Sequence, residues 1–206
     1  MIKLNKITKE IKGKTVLDNI SIEFIEGNSY LLKEHNGSGK TMLLRLLCDL
    51  IKPTTGKVVR EIKEYTYGII IENPSFLENE TALYNLKYLA SIKKRITEQE
   101  IYDALKLLNL YDHRNDKVKT FSLGMKQRLG LCQAIMEDPD VLLLDEPFNA
   151  LDDENYEVVK NILKHLKEKG KLIIIAAHGL SKEDFHLFDE IITLSAGKVQ
   201  DISLNE

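Results

Sequence analysis

The chain has 206 residues, with 29 Lys and Arg against 32 Asp and Glu, and a formal net charge of −3 at pH 7. This length allows one domain with a substantial core, and the nearly balanced charge excludes an overall electrostatic attraction to nucleic acid or to an acidic membrane surface. The two cysteines, Cys48 and Cys132, lie in apolar helical patterns, so we expect free thiols rather than a disulfide.

The first thirty residues predict half-buried strands. Apolar residues alternate with polar ones over 2–4 and 20–24, and turns are expected near Gly13 and Gly27. This pattern indicates a small antiparallel sheet at the start of the chain.

A glycine-rich turn follows the apolar run 30–32 and precedes an apolar helix that ends before Pro53. The turn reads Glu34-His35-Asn36-Gly37-Ser38-Gly39-Lys40-Thr41. A strand that turns through glycines into a helix leaves several backbone N–H groups aimed at one point, where the helix dipole adds positive potential. We predict that phosphate binds at this point, with Lys40 reaching the β- and γ-phosphates and Thr41 holding Mg²⁺.

This turn matches the phosphate-loop motif G-x-x-x-x-G-K-[ST] except at its first position, where Glu34 replaces glycine. The change could cost about 1–2 kcal/mol if residue 34 needs a left-handed backbone. The alternative is an ordinary glycine-rich turn between a strand and a helix. The nucleotide-binding candidates in this region are Asn36, Gly37, Ser38, Gly39, Lys40, Thr41 and Met42.

Helices are predicted in the middle of the chain, after two short strands through 58–59 and 69–71. Apolar residues recur at helical spacing from 83 to 90 and from 101 to 108, and a further helix begins after Ser122. Because the segment from about 81 to 136 interrupts an α/β pattern, we expect an inserted helical subdomain rather than an independent domain.

Two carboxylates, Asp145 and Glu146, follow the buried strand 141–144, at the end of a strand where open parallel sheets bind ligands. Asp145 would orient the Mg²⁺ shell, and Glu146 could act as a base that polarises an attacking water. An acidic pair at the end of a strand is common on structural grounds alone. Its combination with Lys40 and Thr41 favours a nucleotide site.

The C-terminal part predicts a helix over 158–166, a buried strand over 172–177 and closing strands near 191–194 and Val199. The apolar runs are too short to cross a bilayer, and the first residues lack the apolar core of a signal peptide. We therefore expect no membrane-spanning segment.

The segment Phe121-Ser122-Leu123-Gly124-Met125-Lys126-Gln127-Arg128 resembles the signature motif of ABC-type ATPases, usually written LSGGQ. With the nucleotide motifs on both sides of it, the resemblance covers nearly the whole chain. It implies the α/β ABC ATPase fold, which is a P-loop NTPase (RecA-like) core with an antiparallel β subdomain and an inserted α-helical subdomain. We expect one domain over 1–206, with residues 1–30 mainly in the β subdomain, 31–80 and 137–206 in the α/β core, and 81–136 in the helical subdomain.

The resemblance also implies that two copies sandwich two ATP molecules head to tail. Ser122 and Gly124 would then present a hydroxyl and backbone N–H groups to the γ-phosphate bound by the other copy. Ser122 would also serve as an ordinary helix N-cap. The run 150–152 resembles the D-loop that crosses the dimer interface, and His178 resembles the switch histidine that contacts the γ-phosphate, although a lone histidine is more often a surface residue.

Glu72 stands where most relatives carry glutamine, and it is a candidate both for catalysis and for metal binding. Its carboxylate would approach Mg²⁺ or water more strongly than an amide but adds negative charge beside the phosphates, so its effect on turnover could have either sign. Together with the signature variant, the run Glu72-Asn73-Pro74 resembles the subgroup of ABC ATPases that includes bacitracin-resistance and lantibiotic self-protection exporters.

Two positions weaken the predicted nucleotide site. Ile11 falls where relatives often place an aromatic ring that stacks on adenine, and losing such a stack could cost on the order of 1–3 kcal/mol. Met42 replaces a second hydroxyl residue that often touches the α-phosphate. Because neither change removes the candidate catalytic groups, we predict ATP hydrolysis rather than nucleotide binding alone.

The resemblance therefore predicts the ATP-hydrolysing subunit of an ABC transporter, with ATP and Mg²⁺ as ligands. We expect an exporter of antimicrobial peptides, drugs or related amphiphiles, with a role in antibiotic resistance and a separate membrane permease as partner. The chain would be cytoplasmic and would form a homodimer, or a heterodimer with another ABC ATPase. It would contact the membrane only through the permease, and it would not bind nucleic acid. The permease would dock near Phe76, Leu77 and Tyr84, although these side chains could equally be subdomain core.

Three other functions stay open at this point. The chain could be a soluble ABC ATPase of DNA maintenance, translation or cofactor assembly, but such DNA-maintenance relatives carry a long coiled coil and such translation factors carry two cassettes. It could be a regulatory nucleotide-binding module without turnover. It could also be the ATPase of an importer, which the variants at Glu72 and Leu123 disfavour.

Overall fold

The computed structural model describes residues 1–33, 37–62, 64–93 and 96–204. Within these ranges the strands are β1 (Ile2–Ile11), β2 (Lys14–Phe24), β3 (Ser29–Lys33), β4 (Thr55–Arg60), β5 (Tyr67–Ile70), β6 (Val141–Asp145), β7 (Leu172–Ala177), β8 (Glu190–Ser195) and β9 (Lys198–Leu204). The α-helices are α1 (Lys40–Leu47), α2 (Ala82–Lys93), α3 (Glu98–Leu107), α4 (Leu123–Ile135) and α5 (Asp153–Glu168). Short 3₁₀ helices cover Tyr111–His113, Val118–Thr120 and Lys182–Leu187.

The larger sheet has the strand order β5-β6-β7-β3-β8-β9. All neighbours from β5 to β8 run parallel, and β9 is antiparallel to β8. This order places β3 beside β7 and β7 beside β6. Because the three strands are parallel, the loops that follow them lie at the same edge of the sheet.

The smaller sheet is antiparallel and has the order β2-β1-β4. Its strand β4 lies within 31–80, the range that the sequence assigns to the α/β core, and this assignment is wrong for the strand. In the register, Leu4 of β1 faces Val58 of β4. The reason lies in burial, because β4 is mostly exposed and therefore fits the edge of an antiparallel sheet rather than a parallel sheet that is covered on both faces.

The core lies on both faces of the larger sheet, because successive side chains of a strand point to opposite sides. In β6, Leu142 and Leu144 pack with the helical segment and α5, whereas Val141 and Leu143 pack with α1 and the antiparallel sheet. The strands β3 and β7 divide their apolar side chains in the same way. The sheet therefore holds the helical segment on one face and α1 on the other.

The helical segment contains α2, α3 and α4, all of which lie inside 81–136. Thr97 and Glu100 form a reciprocal capping box at the start of α3, and the Ser122 hydroxyl caps α4 by accepting from the Met125 N–H at 3.2 Å. Cys48 and Cys132 are both free thiols. In the part of the chain that the structure describes, no helix combines the length and the apolar character that crossing a membrane requires.

Candidate functional site

The turn between β3 and α1 is held in a conformation that requires glycine at position 39. Gly39 has a φ angle of +104°, in the left-handed region. A Cβ atom there would lie 2.9 Å from a Leu17 methyl carbon and 3.0 Å from the Val16 carbonyl oxygen. Glu34 and Asn36, for which the sequence made predictions, lie outside the described residues.

The turn between β8 and β9 supports this phosphate loop from the other side. The Gly197 N–H donates a 3.1 Å hydrogen bond to the Ser38 carbonyl oxygen, and the Asp18 N–H donates to the Gly197 carbonyl at 2.8 Å. A Cβ atom on Gly197 would lie 2.6 Å from the Val16 carbonyl, so the two chains approach too closely for a side chain. Sequence reasoning missed this support, for which the Ala196-Gly197 turn was the only local signal.

Thr41 and Asp145 are 104 residues apart in sequence and meet at the edge of the larger sheet. The Thr41 Oγ1 atom donates a 2.6 Å hydrogen bond to Asp145 Oδ2. Lys40 and Asp145 are both buried, with 6% and 7% of their surfaces exposed. A hydroxyl and a carboxylate in contact beside a buried lysine offer the oxygen ligands and the positive charge that a magnesium-bound phosphate group requires.

Two further observations test whether the loop suits such a ligand. The Ser38 hydroxyl is buried and has no hydrogen-bond partner among the described residues, as expected for a polar atom that donates to or accepts from a ligand. Nowhere in the described ranges do three or more His, Cys, Asp or Glu side chains form a group that could hold a metal by themselves. Mg²⁺ typically uses one or two protein oxygens and completes its shell with phosphates and water, so Thr41 and Asp145 fit this ion.

Glu146 and His178 form a close pair at the same edge of the larger sheet. Glu146 follows β6, His178 follows the neighbouring strand β7, and the His178 Nδ1 atom lies 2.5 Å from Glu146 Oε1. The His178 backbone N–H donates a longer 3.4 Å hydrogen bond to Oε2 of the same carboxylate. Glu146 itself has a positive φ of 51°, a left-handed backbone conformation that is uncommon in non-glycine residues.

The helix α4 also reaches this carboxylate residue through Gln127, whose Nε2 donates a 3.1 Å hydrogen bond to the Glu146 carbonyl oxygen. At the start of α4, a Cβ atom on Gly124 would lie 2.5 Å from the Ala150 carbonyl oxygen. The signature segment is therefore packed directly against the loop that follows Glu146. The sequence motif contained Gln127, but nothing in its spacing indicated this contact.

Glu72 follows β5 and pairs with an arginine that the sequence did not single out. The Arg45 Nη2 atom lies 2.7 Å from Glu72 Oε1. Arg45 belongs to α1, four residues after Thr41, so it projects from the same side of the helix. In the sequence, only its position four residues after Thr41 indicated that Arg45 lies on the same side of the helix as the phosphate-loop threonine.

The segment after His178 is anchored to α5 by a buried carboxylate. Asp184 accepts hydrogen bonds from the Tyr156 hydroxyl at 2.8 Å and the Ser181 hydroxyl at 2.7 Å, and Lys160 Nζ lies 2.8 Å from its other oxygen. Burial opposes ionisation of Asp184, but the hydrogen bonds from Lys160, Ser181 and Tyr156 outweigh it and hold its pKa below the usual value. Burial, and then the hydrogen bond to Asp184, raise the pKa of Tyr156 to about 12.

A cleft of about 680 Å³ collects most of the predicted residues. Those that line it are Gly37, Ser38, Gly39, Lys40, Thr41, Met42, Glu72, Asp145 and Glu146. The described residues predicted for this site that do not line it are Ser122, Gly124, His178 and Ile11. Thr15, Val16, Gln127, Asn149 and Gly197 line it without having been predicted.

The chain is similar in sequence to known proteins of one family. The family model described as ABC transporter matches residues 17–149. The uncharacterized ABC transporter ATP-binding protein YybJ of Bacillus subtilis (strain 168) is 44% identical over 209 residues, which cover 97% of this chain and 95% of that protein. The lantibiotic transport ATP-binding protein SrtF of Streptococcus pyogenes is 33% identical, over 97% of this chain and 89% of its own. The bacitracin transport ATP-binding protein BcrA of Enterococcus faecalis is also 33% identical, over 100% of this chain and 70% of its own.

A solved structure supports the same conclusion about the fold. It is a dimer of the ATP-binding cassette MJ0796 in a post-hydrolysis state with ADP and Pi. The likeness has a TM-score of 0.89 and 25% sequence identity, and covers 99% of this chain and 98% of that one. The predicted fold class and the resemblance noted in the sequence are both confirmed.

Proposed function

The chain belongs to the family of ABC transporter ATP-binding proteins and is an ATPase, and we propose that it drives an exporter of antimicrobial peptides or related amphiphiles. Support for the exported class comes from the relatives named for lantibiotic and bacitracin transport. The acidic variant at Glu72 supports the same subgroup. We further propose that 1–206 is one ATPase domain, with β4 assigned to the β subdomain.

The observation that carries the proposed chemistry is the Glu146–His178 pair, in which Glu146 lines the same cleft as the phosphate loop. In this proposal Glu146 accepts a proton from the water that attacks the terminal phosphate, and His178 holds the carboxylate in position. Thr41 and Asp145 would hold Mg²⁺, which when bound offsets the negative charge of the phosphates. Lys40 would contact the β- and γ-phosphates.

The working form is proposed to be a dimer, either of this chain or of this chain and a related ATPase. Ser122 and Gly124 do not line the cleft of their own chain, and Ser122 is exposed at the N-terminus of α4. This position is suitable for contact with a phosphate held by another chain. Dimer closure on ATP would then be the movement that a permease receives.

A permease surface is proposed along α2 and the loop before it. Leu77, Tyr84, Tyr88 and Ile92 are all exposed, by 49%, 48%, 54% and 67%. The last three are spaced four residues apart and so form one stripe along the helix. An exposed apolar stripe indicates an interaction surface, and a separate membrane permease is the partner that the proposed function requires.

Transport can be tested in the source organism by disrupting the gene and restoring it on a plasmid. We expect the disrupted strain to become more sensitive to bacitracin or to a cationic lantibiotic, and the wild-type gene but not Lys40→Ala to restore resistance. The double variant Tyr84→Ser/Tyr88→Ser should also fail to restore it while the purified protein keeps its ATPase activity. The control Val59→Ser removes a side chain of similar exposure, 48%, on β4 and should restore resistance fully.

Unchanged sensitivity of the disrupted strain across such peptides would reject the exported class. A purified wild-type chain that binds ATP but releases no phosphate under any condition would instead favour the regulatory module. The sensitivity of the disrupted strain thus tests the transport proposal, whereas phosphate release tests the catalytic residues.

A further inference from the structure

The acidic side chain of Glu72 creates an electrostatic problem at the cleft. Asp145 and Glu146 already bring two carboxylates to a place that must accept a triphosphate, and Glu72 adds a third. Like charges in close proximity disfavour one another, and the repulsion between Glu72 and a phosphate group would weaken nucleotide binding. The chain must therefore either leave Glu72 uncompensated or supply a cation for it.

Arg45 supplies that cation. Its Nη2 atom lies 2.7 Å from Glu72 Oε1, with 33% of the Arg45 side chain and 64% of the Glu72 side chain exposed. Arg45 extends from α1, the helix whose first residues are Lys40 and Thr41. The pair thus connects α1, the helix that follows the phosphate loop, to the loop after β5, and Glu72 of that loop lines the cleft.

We propose that Arg45 is a positioning residue for ATP hydrolysis: it neutralises Glu72 and holds its carboxylate at one side of the cleft, so that the acidic residue is compatible with a bound triphosphate. The inference rests on the proposed position of the nucleotide in this cleft. It does not depend on what is transported. Its consequence is that the effect of changing Arg45 depends on whether residue 72 carries a charge.

The experiment is a double-mutant cycle on the purified full chain, with Arg45→Gln, Glu72→Gln and the double variant. ATP affinity and the KM and kcat of hydrolysis are measured with excess Mg²⁺ at low and high salt. We expect Arg45→Gln alone to raise the KM for ATP about three- to tenfold with little change in kcat, because Glu72 is then an unpaired charge beside the phosphates. In the Glu72→Gln background the same change should alter KM by less than about twofold.

Two controls separate this effect from a loss of fold or of net charge. Lys106→Gln removes an exposed cation that pairs with Asp103 at 3.4 Å on α3, and should leave KM unchanged. Arg45→Lys keeps the positive charge, so its KM should stay within about twofold of wild type. High salt should reduce the Arg45→Gln effect, because exposed charges are screened.

Equal effects of Arg45→Gln in both backgrounds would overturn the inference, since Arg45 would then act on the nucleotide or on the fold and not through Glu72. An Arg45→Lys variant as weak as Arg45→Gln would also overturn it. Lys40→Ala gives the separate test of nucleotide position. If Lys40→Ala binds ATP normally, the proposed nucleotide site itself is wrong. If Lys40→Ala loses ATP binding but the effects of Arg45→Gln and Glu72→Gln are additive, only the role of Arg45 is rejected.

Discussion

The ring of His178 contacts the carboxylate of Glu146 with 2.5 Å between Nδ1 and Oε1, and the backbone N–H of His178 faces the other carboxylate oxygen. The two residues leave neighbouring parallel strands, β6 and β7, at the same edge of the sheet. The carboxylate of Glu146 is thus oriented by His178, a residue outside the phosphate loop. A change at either residue should therefore affect the chemical step more than nucleotide binding.

Replacing Glu146 by glutamine should nearly abolish steady-state ATP hydrolysis and leave ATP binding intact. The amide keeps the size of the side chain but cannot accept a proton, and a positioned base typically contributes about 10²–10⁴-fold to the rate. Phosphate release and equilibrium ATP binding are the measurements. His178→Ala should lower kcat in the same direction, while turnover of Glu146→Gln at the wild-type rate would reject Glu146 as the base.

Thr41→Val should remove most of the magnesium-dependent activity, because it deletes the hydroxyl that contacts Asp145 at 2.6 Å. The matched control is Thr41→Ser, which keeps the hydroxyl and loses only a methyl group. We expect the serine variant to retain activity and the valine variant to require much more Mg²⁺ for half-maximal phosphate release. Identical Mg²⁺ titrations for the two variants would contradict a metal-binding role for this hydroxyl.

The phosphate loop and the acidic pair could be predicted because their geometry is local. A strand, a glycine turn and a helix start define the position of Lys40, and a buried strand brings Asp145 and Glu146 to its end. The pairing partner of an exposed strand is not local, which is why β4 was assigned to the wrong sheet. The pattern of apolar and polar residues in β4 is compatible with either sheet. Only its pairing with β1 in the structure shows that it belongs to the antiparallel sheet.

The contacts that complete the cleft also escaped the sequence analysis, for a related reason. Arg45 and Glu72 are 27 residues apart, on a helix and a loop whose approach depends on the whole sheet. Gly197 approaches Val16 across an even longer separation, and neither residue belongs to a phosphate-binding motif. Motif spacing identifies the groups that touch a ligand, whereas the side chains that support those groups depend on tertiary packing.

Gly124→Ala should impair ATP hydrolysis more than it impairs ATP binding. The new Cβ would lie 2.5 Å from the Ala150 carbonyl oxygen, so either the start of α4 or the loop after Glu146 must move. Overpacking of this kind costs about 1–3 kcal/mol of stability, which urea unfolding can measure. Leu123→Ala is the control, because this neighbouring side chain is 65% exposed and its loss should change stability little. Equal phosphate-release rates for Gly124→Ala and wild type would show that this contact is unimportant for turnover.

The carboxylate of Asp184 gives a prediction about the pH dependence of stability. Its pKa is lowered in the folded protein, because the hydrogen bonds from Lys160, Ser181 and Tyr156 outweigh the cost of burial. Near the ordinary aspartate pKa, the unfolded chain therefore binds more protons than the folded chain. The stabilisation is complete above the unfolded-state pKa of about 3.9 and is lost as the pH falls through the lower folded-state pKa.

Asp184→Asn removes this charge and keeps one acceptor oxygen, so it should lower the free energy of unfolding by about 1–3 kcal/mol at pH 7. Urea unfolding of both proteins from pH 7 downwards should show the difference between them shrinking below about pH 4, as the wild-type carboxylate becomes protonated. The exposed Asp112→Asn provides the control and should behave as wild type at each pH. A difference that stays constant over this range would mean that the charge of Asp184 contributes nothing and that the network acts only through its neutral hydrogen bonds.

Because the network anchors the segment after His178, Asp184→Asn should also lower kcat. An unchanged kcat in a destabilised variant would show that anchoring of this segment is not needed for catalysis.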